Sequence, residues 1–440
     1  MMNVGLLIEK YKSSDIARRM ASGAFWSLLG STVSKLLVLI AGILLAHILG
    51  KEDYGKFGMV KSTLGMFVVL GSFGLGVTAT KFIAEYRKTE KDHVCSIYLL
   101  TNGFALFIAT IVSLLVFLFS EKLANDVLHA SELALSIKIS SLVLLFTILN
   151  TAQDATLSGF ESFKAIAFSN LVCSVFEAGG MVVMGYYYGL IGAVIGYGSG
   201  FILKTLVNKI LINKDFRAND IEIKFSHFKR SDLKLLYSYT LPAAISTLLA
   251  GPTFWILRTI LARSSGYGEL AIYDVADQWK LILLFIPATI SQIILPIMSS
   301  IDKDNKNQFW KVLRTNILLN VCITTILSLL IVVLCNHIMN LYGEGFEDPI
   351  PLIILAFSTI FTSVSTVLGI SISSLSKMWM WFGMNLNWSI VTVVIAYLFI
   401  SIGFQAKGIA MAVLIGYIVH ALIQYLYLRI TLKDKEPITK

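Results

Sequence analysis

The feature that most constrains this chain is a series of long apolar segments that recurs along the whole sequence. A helix needs about 20 mostly apolar residues to cross the hydrocarbon core of a bilayer. Twelve segments meet this requirement, at roughly 21–46, 57–80, 96–119, 134–155, 166–187, 190–212, 237–262, 271–297, 314–335, 350–375, 384–402 and 408–428. Only 14% of the residues are charged, too few to cover a water-facing surface. We therefore predict an all-α polytopic membrane protein of about 12 transmembrane helices.

The basic residues between these segments predict how the chain is oriented in the membrane. With the N terminus in the cytoplasm, the inner segments carry 26 Lys and Arg residues and the outer segments carry 5. This bias predicts that both termini lie inside. Residues 1–19 are predicted to form a basic cytoplasmic segment, and no cleavable signal peptide is predicted. The count assigns Lys204 to a cytoplasmic loop at 204–235. It also accounts for most of the net charge of +9, so no nucleic-acid partner is required.

Short matches that recur at one nearly constant separation along the chain indicate an internal repeat. The matches begin at Gly50 and Gly266, at Asn170 and Asn385, and at Gly192 and Gly408. Each copy holds six spans, so both copies share one orientation and are expected to flank a central cavity, as in alternating-access transporters. The predicted domains are a lobe at 1–215, a cytoplasmic linker at 216–236 and a second lobe at 237–440.

Two stretches near the start of the chain resemble a known family. They are Leu49-Gly-Lys-Glu-Asp-Tyr-Gly-Lys-Phe57, and Gly71-Ser-Phe-Gly-Leu-Gly76 followed by Lys81-Phe-Ile-Ala-Glu-Tyr86. In these motifs and in its twelve-span layout the chain is similar to the Wzx-type O-antigen and polysaccharide repeat-unit flippases. That family belongs to the multidrug/oligosaccharidyl-lipid/polysaccharide exporter superfamily.

The resemblance implies a transporter and not an enzyme. It implies translocation of an undecaprenyl-diphosphate-linked oligosaccharide from the cytoplasmic to the outer leaflet of a bacterial-type inner membrane, with H⁺ or Na⁺ as the coupling ion. Its implied partners, besides the lipid bilayer, are a polysaccharide polymerase and a chain-length regulator. It implies no cofactor and no metal, and it does not identify the sugar.

Ionisable residues within the spans are the candidate functional residues, because a charge that faces lipid costs a few kcal/mol or more. The candidates for lining a substrate cavity are Lys35, Lys61, Arg258, Asp274, Asp277 and Lys280. Glu177 and Asp154 are the candidates for ion coupling. Asp274, Asp277 and Gln278 share a helical face by their spacing. Other roles stay open at this point, including a purely structural Lys35–Glu177 pair, Lys61 and Arg258 reaching the headgroups, and Asp154 as a helix cap.

Two rival functions are considered. A drug or metabolite cation antiporter of the MATE type would share the twelve-span plan, but the slightly basic membrane interior suits an anionic pyrophosphate better. A membrane polysaccharide polymerase or ligase would offer a large outer loop with basic residues, whereas the outer loops here are short. The Asp302-Lys-Asp304 pattern, which some glycosyltransferases use to hold a metal and a nucleotide sugar, is interpreted as a solvated charge run in a short loop. Trp379, Trp381 and Trp388 are interpreted as an interfacial belt, and His420 as a packing residue or a proton relay.

Overall fold

The computed structural model describes residues 15–72, 74–236, 240, 248–289, 306–375 and 377–432, without the side chains of 15–25, 27 and 378. Its longer helices, numbered α1 to α11, are Asp15–Ser72, Leu75–Tyr86, Lys91–Leu118, Ala134–Gly159, Phe163–Ala218, Ala250–Ser265, Tyr267–Leu283, Lys306–Asn340, Ile350–Ser374, Met378–Ser401 and Gln405–Thr431. Shorter helical turns lie at Ser120–Lys122, Leu123–Val127, Ser131–Leu133, Phe225–His227 and Arg230–Leu233. The described residues contain no strand, and the all-α prediction is confirmed.

The helices account for the predicted membrane spans. Among the described residues, 8 helices are long and apolar enough to cross a membrane. Two of them, α1 and α5, contain a break at Gly50 and at Gly189. Helix α5 covers the fifth and sixth predicted spans, and α1 covers the first span and the second as far as Ser72, after which α2 begins at Leu75. Helices α6 and α7 cover 250–262 of the seventh predicted span and 271–283 of the eighth. The prediction of a polytopic helical membrane protein is therefore confirmed.

Left-handed backbone recurs at equivalent positions of the sequence repeat. The φ/ψ values of Gly50 are 75°/169°, and those of its counterpart Gly266 are 85°/169°. Two further pairs with the same separation both have positive φ, namely His129 with Gly345 and Gly189 with Gln405. Positive φ is uncommon for residues other than glycine. The shared backbone conformations therefore support two copies of one folding unit.

The chain forms two compact units that are not contiguous in sequence. The first is built from the described residues of Met1–Ile48, Phe67–Asn125 and Ala130–Ala244, and the second from those of Leu49–Met66, Asp126–His129 and Ile245–Lys440. The break at Gly50 therefore stands where α1 passes from the first unit into the second.

In the first unit, glycines bring the two halves of α5 together. A Cβ added at Gly196 would stand 2.1 Å from the carbonyl oxygen of Gly180, and one added at Gly192 would stand 1.9 Å from that of Met184. Small residues at such crossings let helix backbones approach closely inside a membrane. The fifth and sixth predicted spans thus form a tight helical hairpin around Gly189.

In the second unit, an apolar cluster joins α8, α9, α10 and α11. Its buried members are Phe309, Leu313, Val367, Leu368, Ile372, Met384, Ala421 and Leu428. Helix α9 also packs against α7, which carries three of the candidate charges. This core fixes the position of α7 within the unit.

Two sequence interpretations are corrected by the fold. Lys204, which the charge count placed in a cytoplasmic loop at 204–235, lies buried inside α5. Trp388, assigned to an interfacial belt, is only 4% exposed, whereas Trp379 is 74% exposed. Both errors arise because sequence spacing does not show which face of a helix a neighbour covers. The Asp302–Asp304 pattern lies outside the described residues.

Candidate functional site

Four of the six cavity candidates come together in the second unit, on α6 and α7. The left-handed Gly266 ends α6 and starts α7. The Arg258 guanidinium bridges two carboxylates, with Nε donating to Asp274 Oδ1 at 2.8 Å and Nη2 donating to Asp277 Oδ2 at 2.7 Å. Lys280 completes the group with an ion pair to Asp277. We call these four residues the buried charge cluster.

The buried charge cluster is largely shielded from solvent. The side chains of Arg258, Asp274 and Asp277 are 12%, 11% and 11% exposed, and that of Lys280 is 5% exposed. Two cations face two carboxylates, so the formal charges of these four residues balance. Buried charges are tolerated when they are paired and hydrogen-bonded. The two carboxylates are therefore engaged with cations of the protein itself.

Aromatic rings form part of the wall around the cations. The Arg258 guanidinium lies 5.2 Å from the centroid of the Tyr273 ring, and the Lys280 ammonium lies 4.6 Å from that of Phe254. A cation over an aromatic face is attracted by the quadrupole of the ring. These contacts could not be predicted from the sequence, because one ring lies on α6 and the other lies on α7.

The second half of α1 packs against α7 within the same unit. A Cβ added at Gly58 would stand 1.9 Å from Asp274 Oδ2, so only glycine leaves room for this carboxylate. Lys61 is close enough for its charge to act on Asp274. Trp255 of α6 donates its Nε1 hydrogen to Thr63 Oγ1 at 3.0 Å. Lys61, predicted as a cavity residue, thus lies beside the buried charge cluster.

Gln278 shares the polar face of α7 but binds a different partner. Tyr342 Oη accepts a hydrogen bond from Trp279 Nε1 at 3.2 Å and donates one to Gln278 Oε1 at 3.3 Å. Tyr342 follows the end of α8, and burial raises the pKa of its phenol above the ordinary range. The phenol therefore stays protonated and keeps its donor role at physiological pH.

Asp154 lies in the first unit, in a polar group that the sequence analysis did not assemble. Lys204 Nζ lies 2.6 Å from Asp154 Oδ2 and 2.6 Å from Asn170 Oδ1. Asn208 Nδ2 donates to Asp154 Oδ1 at 2.9 Å. The carboxylate therefore joins α4 to the second half of α5, and Lys204 extends this contact to Asn170 in the first half. The spacing of Lys204 and Asn208 by one helical turn within an apolar helix was the available sequence signal.

Glu177 and Lys35 also belong to the first unit, and they differ in exposure. Glu177 is buried, at 8% exposure, where the two halves of α5 pack together. A Cβ added at Gly200 would stand 2.9 Å from the Cβ of Glu177. Lys35 is exposed on α1, among apolar side chains such as Leu36 and Ile40. The candidates are thus divided between the units, and in the second unit Lys61 lies beside the buried charge cluster.

Comparison with known proteins identifies the family of the chain. The model of the family described as polysaccharide biosynthesis protein matches residues 20–302. The chain is 23% identical, over 418 residues, to the EPS I polysaccharide export inner membrane protein EpsE of Ralstonia nicotianae, covering 91% of this chain and 92% of that protein. Its namesake from Ralstonia solanacearum is 22% identical over 414 residues, with the same coverage.

Solved structures show the same fold at low identity. An inward-facing multidrug resistance MATE family transporter of the MOP superfamily matches with a TM-score of 0.80 and 15% identity, over 92% of this chain and 96% of that one. A MOP superfamily transporter from Pyrococcus furiosus matches with a TM-score of 0.72 and 14% identity, over 94% and 95%. These matches show that the chain has the fold of MOP superfamily transporters. The chain belongs to the polysaccharide biosynthesis protein family, and it is a polytopic membrane protein with the fold seen in transporters of the MOP superfamily.

Proposed function

We propose that this chain is a flippase for a lipid-linked oligosaccharide. Its substrate would be an undecaprenyl-diphosphate-linked repeat unit, moved from the cytoplasmic to the outer leaflet of the inner membrane by alternating access. The family match and the names of its relatives support a polysaccharide-related cargo. The transporter fold supports movement of that cargo across the bilayer.

The observation that carries the proposal is the exposure of Lys35 near the middle of an apolar span. An ammonium group that faced hydrocarbon there would cost several kcal/mol. A water-filled cavity removes this cost, and a compact cation in such a cavity attracts a pyrophosphate group. Lys35 would therefore hold the charged headgroup of the carrier while the sugar crosses.

The rival function of a cation antiporter is less well supported by the charge pairing. A cationic substrate needs carboxylates that it can approach. In the second unit, Asp274 and Asp277 both accept hydrogen bonds from Arg258, and Asp277 also pairs with Lys280. A cationic substrate would have to displace cations of the protein, so the arrangement favours an anionic one.

Coupling to H⁺ or Na⁺ belongs to the same proposal, with Glu177 and Asp154 as the candidate carboxylates. Glu177 is buried within α5, and a buried carboxylate can carry a proton. Asp154 is held by Lys204 and Asn208, so ion binding there would compete with an existing ammonium contact. A polymerase and a chain-length regulator would act on the translocated product.

Complementation of a strain that lacks the native gene tests the proposal. Wild-type protein, Lys35→Ala and Lys35→Arg are compared for surface polysaccharide, for protein abundance in the membrane, and for exposure of the lipid-linked oligosaccharide on the outer leaflet of spheroplasts. We expect polymer to be lost with Ala and retained with Arg at equal abundance, because the positive charge is the required feature.

Lys138→Ala is the matched control. Lys138 belongs to the same unit, and its ammonium lies 4.9 Å from the centroid of the Phe117 ring. Full polymer with Lys35→Ala would contradict the role of Lys35. Failure of the wild-type gene to restore polymer would contradict the flippase function and favour the antiporter.

A further inference from the structure

The polar group around Asp154 in the first unit contains a buried ammonium. The Lys204 side chain that carries it is 10% exposed, although it belongs to a largely apolar helix, α5. Its Nζ atom donates to two oxygens, Asp154 Oδ2 and Asn170 Oδ1, each at 2.6 Å. An ion that loses its water on burial needs protein atoms to replace that water. A carboxylate oxygen and an amide oxygen replace it here.

Other contacts hold Asp154 in place besides the one with Lys204. Asn208 Nδ2 donates to Asp154 Oδ1 at 2.9 Å, and Asn208 is fully buried. Thr205 Oγ1 donates to Asn150 Oδ1 at 3.0 Å, which joins α4 to the second half of α5 a second time. The position of the carboxylate relative to α5 therefore does not depend on the ammonium alone.

The group that these oxygens bind is a cation with a single charge. Carboxylate and amide oxygens are also the ligands that hard metal cations prefer. Na⁺ and K⁺ are hard cations with the same charge as an ammonium. Water can complete the shell of such an ion, because the Asp154 side chain is 31% exposed. The oxygens of Asp154 and Asn170 are thus suited to an alkali cation, but Lys204 already fills the place between them.

The charges in this region favour a cation at that place. Cys173 lies on the first half of α5, and the charges of Asp154, Glu177 and Lys204 all act on it. Two carboxylates and one ammonium leave one net negative charge, and without Lys204 the region would carry two. Charges attract more strongly inside a protein than in water, because the effective dielectric constant is lower. Removal of the ammonium therefore strengthens the attraction for another cation.

The internal repeat contains the carboxylate and the ammonium together in one copy and neither in the other. At the separation that defines the repeat, Ile370 is the counterpart of Asp154, and His420 is that of Lys204. Both counterparts line a cavity of about 340 Å³, and no Asp, Glu, Lys or Arg is among the described residues that line it. A buried carboxylate without a cation is costly. The copy without the ammonium thus also lacks the carboxylate that the ammonium would neutralise.

We propose that Lys204 is a built-in cation, whose ammonium occupies a binding place for an alkali cation, Na⁺ or K⁺, between Asp154 and Asn170. Lys204 is then the residue that keeps exchangeable metal ions away from Asp154. The inference rests on the proposed function in one respect. Of the two coupling ions named there, Na⁺ cannot act at Asp154 while Lys204 is in place.

Thermal unfolding of the purified full-length protein in nanodiscs tests the proposal, because an ion that binds only the folded state raises the melting temperature. NaCl or KCl replaces choline chloride at constant ionic strength, so the screening of charges stays the same. Lys204→Ala removes the ammonium and leaves room for an ion. We expect its melting temperature to rise with Na⁺ or K⁺ concentration by more than that of the wild-type protein.

The second substitution locates the bound ion. Asp154→Asn in the Lys204→Ala background removes the charged ligand, so we expect it to weaken alkali-ion binding about tenfold or more. Lys209→Ala is the matched control, because Lys209 is exposed on the same half of α5. It removes one positive charge away from the site and should respond to the salts as the wild-type protein does.

Two results would overturn the proposal. One is a Lys204→Ala protein that responds to neither ion more than wild type, and the other is a response that Asp154→Asn leaves unchanged.

Lys204→Gln is the second variant, which removes the charge and adds an amide oxygen, and it should also gain the response. Recovery of folded Lys204→Ala or Lys204→Gln only in NaCl or KCl would support the proposal, and recovery of neither variant in any salt would overturn it. None of these measurements involves transport, so they are independent of the complementation that tests the flippase function.

Discussion

Among single residues, Asp277 is the carboxylate on which the buried charge cluster depends most. It pairs with Arg258 and with Lys280, whereas Asp274 pairs with Arg258 alone among the contacts within the cluster. Its side chain is 11% exposed, so water screens these pairs only weakly. Removing one member of a buried ion pair leaves an uncompensated charge, and this costs more than the pair itself contributes.

We therefore predict that Asp277→Asn destabilises the protein by about 3–5 kcal/mol. The amide keeps the shape of the carboxylate but leaves Lys280 without a countercharge. Thermal unfolding of the purified protein in detergent measures the loss. Asp53→Asn is the control, because Asp53 pairs with Lys56 at 45% side-chain exposure and an exposed pair contributes about 0–1 kcal/mol.

A second substitution separates charge burial from lost packing. Lys280→Met in the Asp277→Asn background removes the unpaired ammonium and keeps an unbranched side chain, so we expect it to recover part of the lost stability. An Asp277→Asn protein that melts at the wild-type temperature would show that water reaches the cluster and would contradict its burial.

For single residues, the sequence predicted which charged residues share a face of α7, but it did not predict which residues pair with them. The spacing of Asp274 and Asp277 placed both on one face of a helix, and the structure agrees. Their shared partner, Arg258, was predicted as a cavity residue, with a place in the headgroup region left open. Its pairing with both carboxylates was not predicted, because the contact crosses from α6 to α7 and no local pattern encodes it. Lys204 was misplaced for the same reason.

At the scale of elements, the glycines at the helix breaks are the clearest sequence-encoded features. Gly50 and Gly266 have nearly the same left-handed backbone in the two copies. A Cβ added at either one would contact nothing within 4 Å. Glycine is therefore required at these positions by backbone conformation and not by crowding.

We predict that Gly50→Ala destabilises the protein by about 1–2 kcal/mol, because an L-residue resists the left-handed region. Gly65→Ala is the matched control, since Gly65 lies inside α1 with helical backbone and also has no atom within 4 Å of an added Cβ. Alanine is favoured over glycine in a helix interior, so this control should be neutral or stabilising. Equal melting temperatures for the two variants would contradict the strain at Gly50.

Helix positions were predictable to within a few residues, but helix continuity was not. Hydropathy located the spans because each needs an apolar length that matches the bilayer. The spans on either side of Gly50 and of Gly189 are joined with no intervening loop. The charged residues Lys51, Glu52 and Asp53 marked the boundary beside Gly50, whereas no charged residue marks the break at Gly189.

At the scale of the whole molecule, the two copies share a backbone plan but have different polar interiors. The first copy holds Asp154 against Lys204. The second copy has an uncharged cavity at the equivalent place, and its buried charge cluster lies on α6 and α7 instead. The two copies of a duplicated unit can therefore differ in function, with one copy contacting a charged part of a substrate and the other copy contacting a neutral part.

The orientation of the whole chain is the last prediction, and it follows from the bias of 26 inner to 5 outer basic residues. Single cysteines at Ser231 and Ser264, both exposed in the structure, should lie on opposite sides of the membrane. The background carries Cys322→Ser, because Cys322 is exposed and the other three native cysteines are buried. A membrane-impermeant maleimide applied to spheroplasts should label Ser264→Cys at once and Ser231→Cys only after lysis. The reverse pattern would invert the topology, and with it the direction in which Lys35 could receive a substrate made in the cytoplasm.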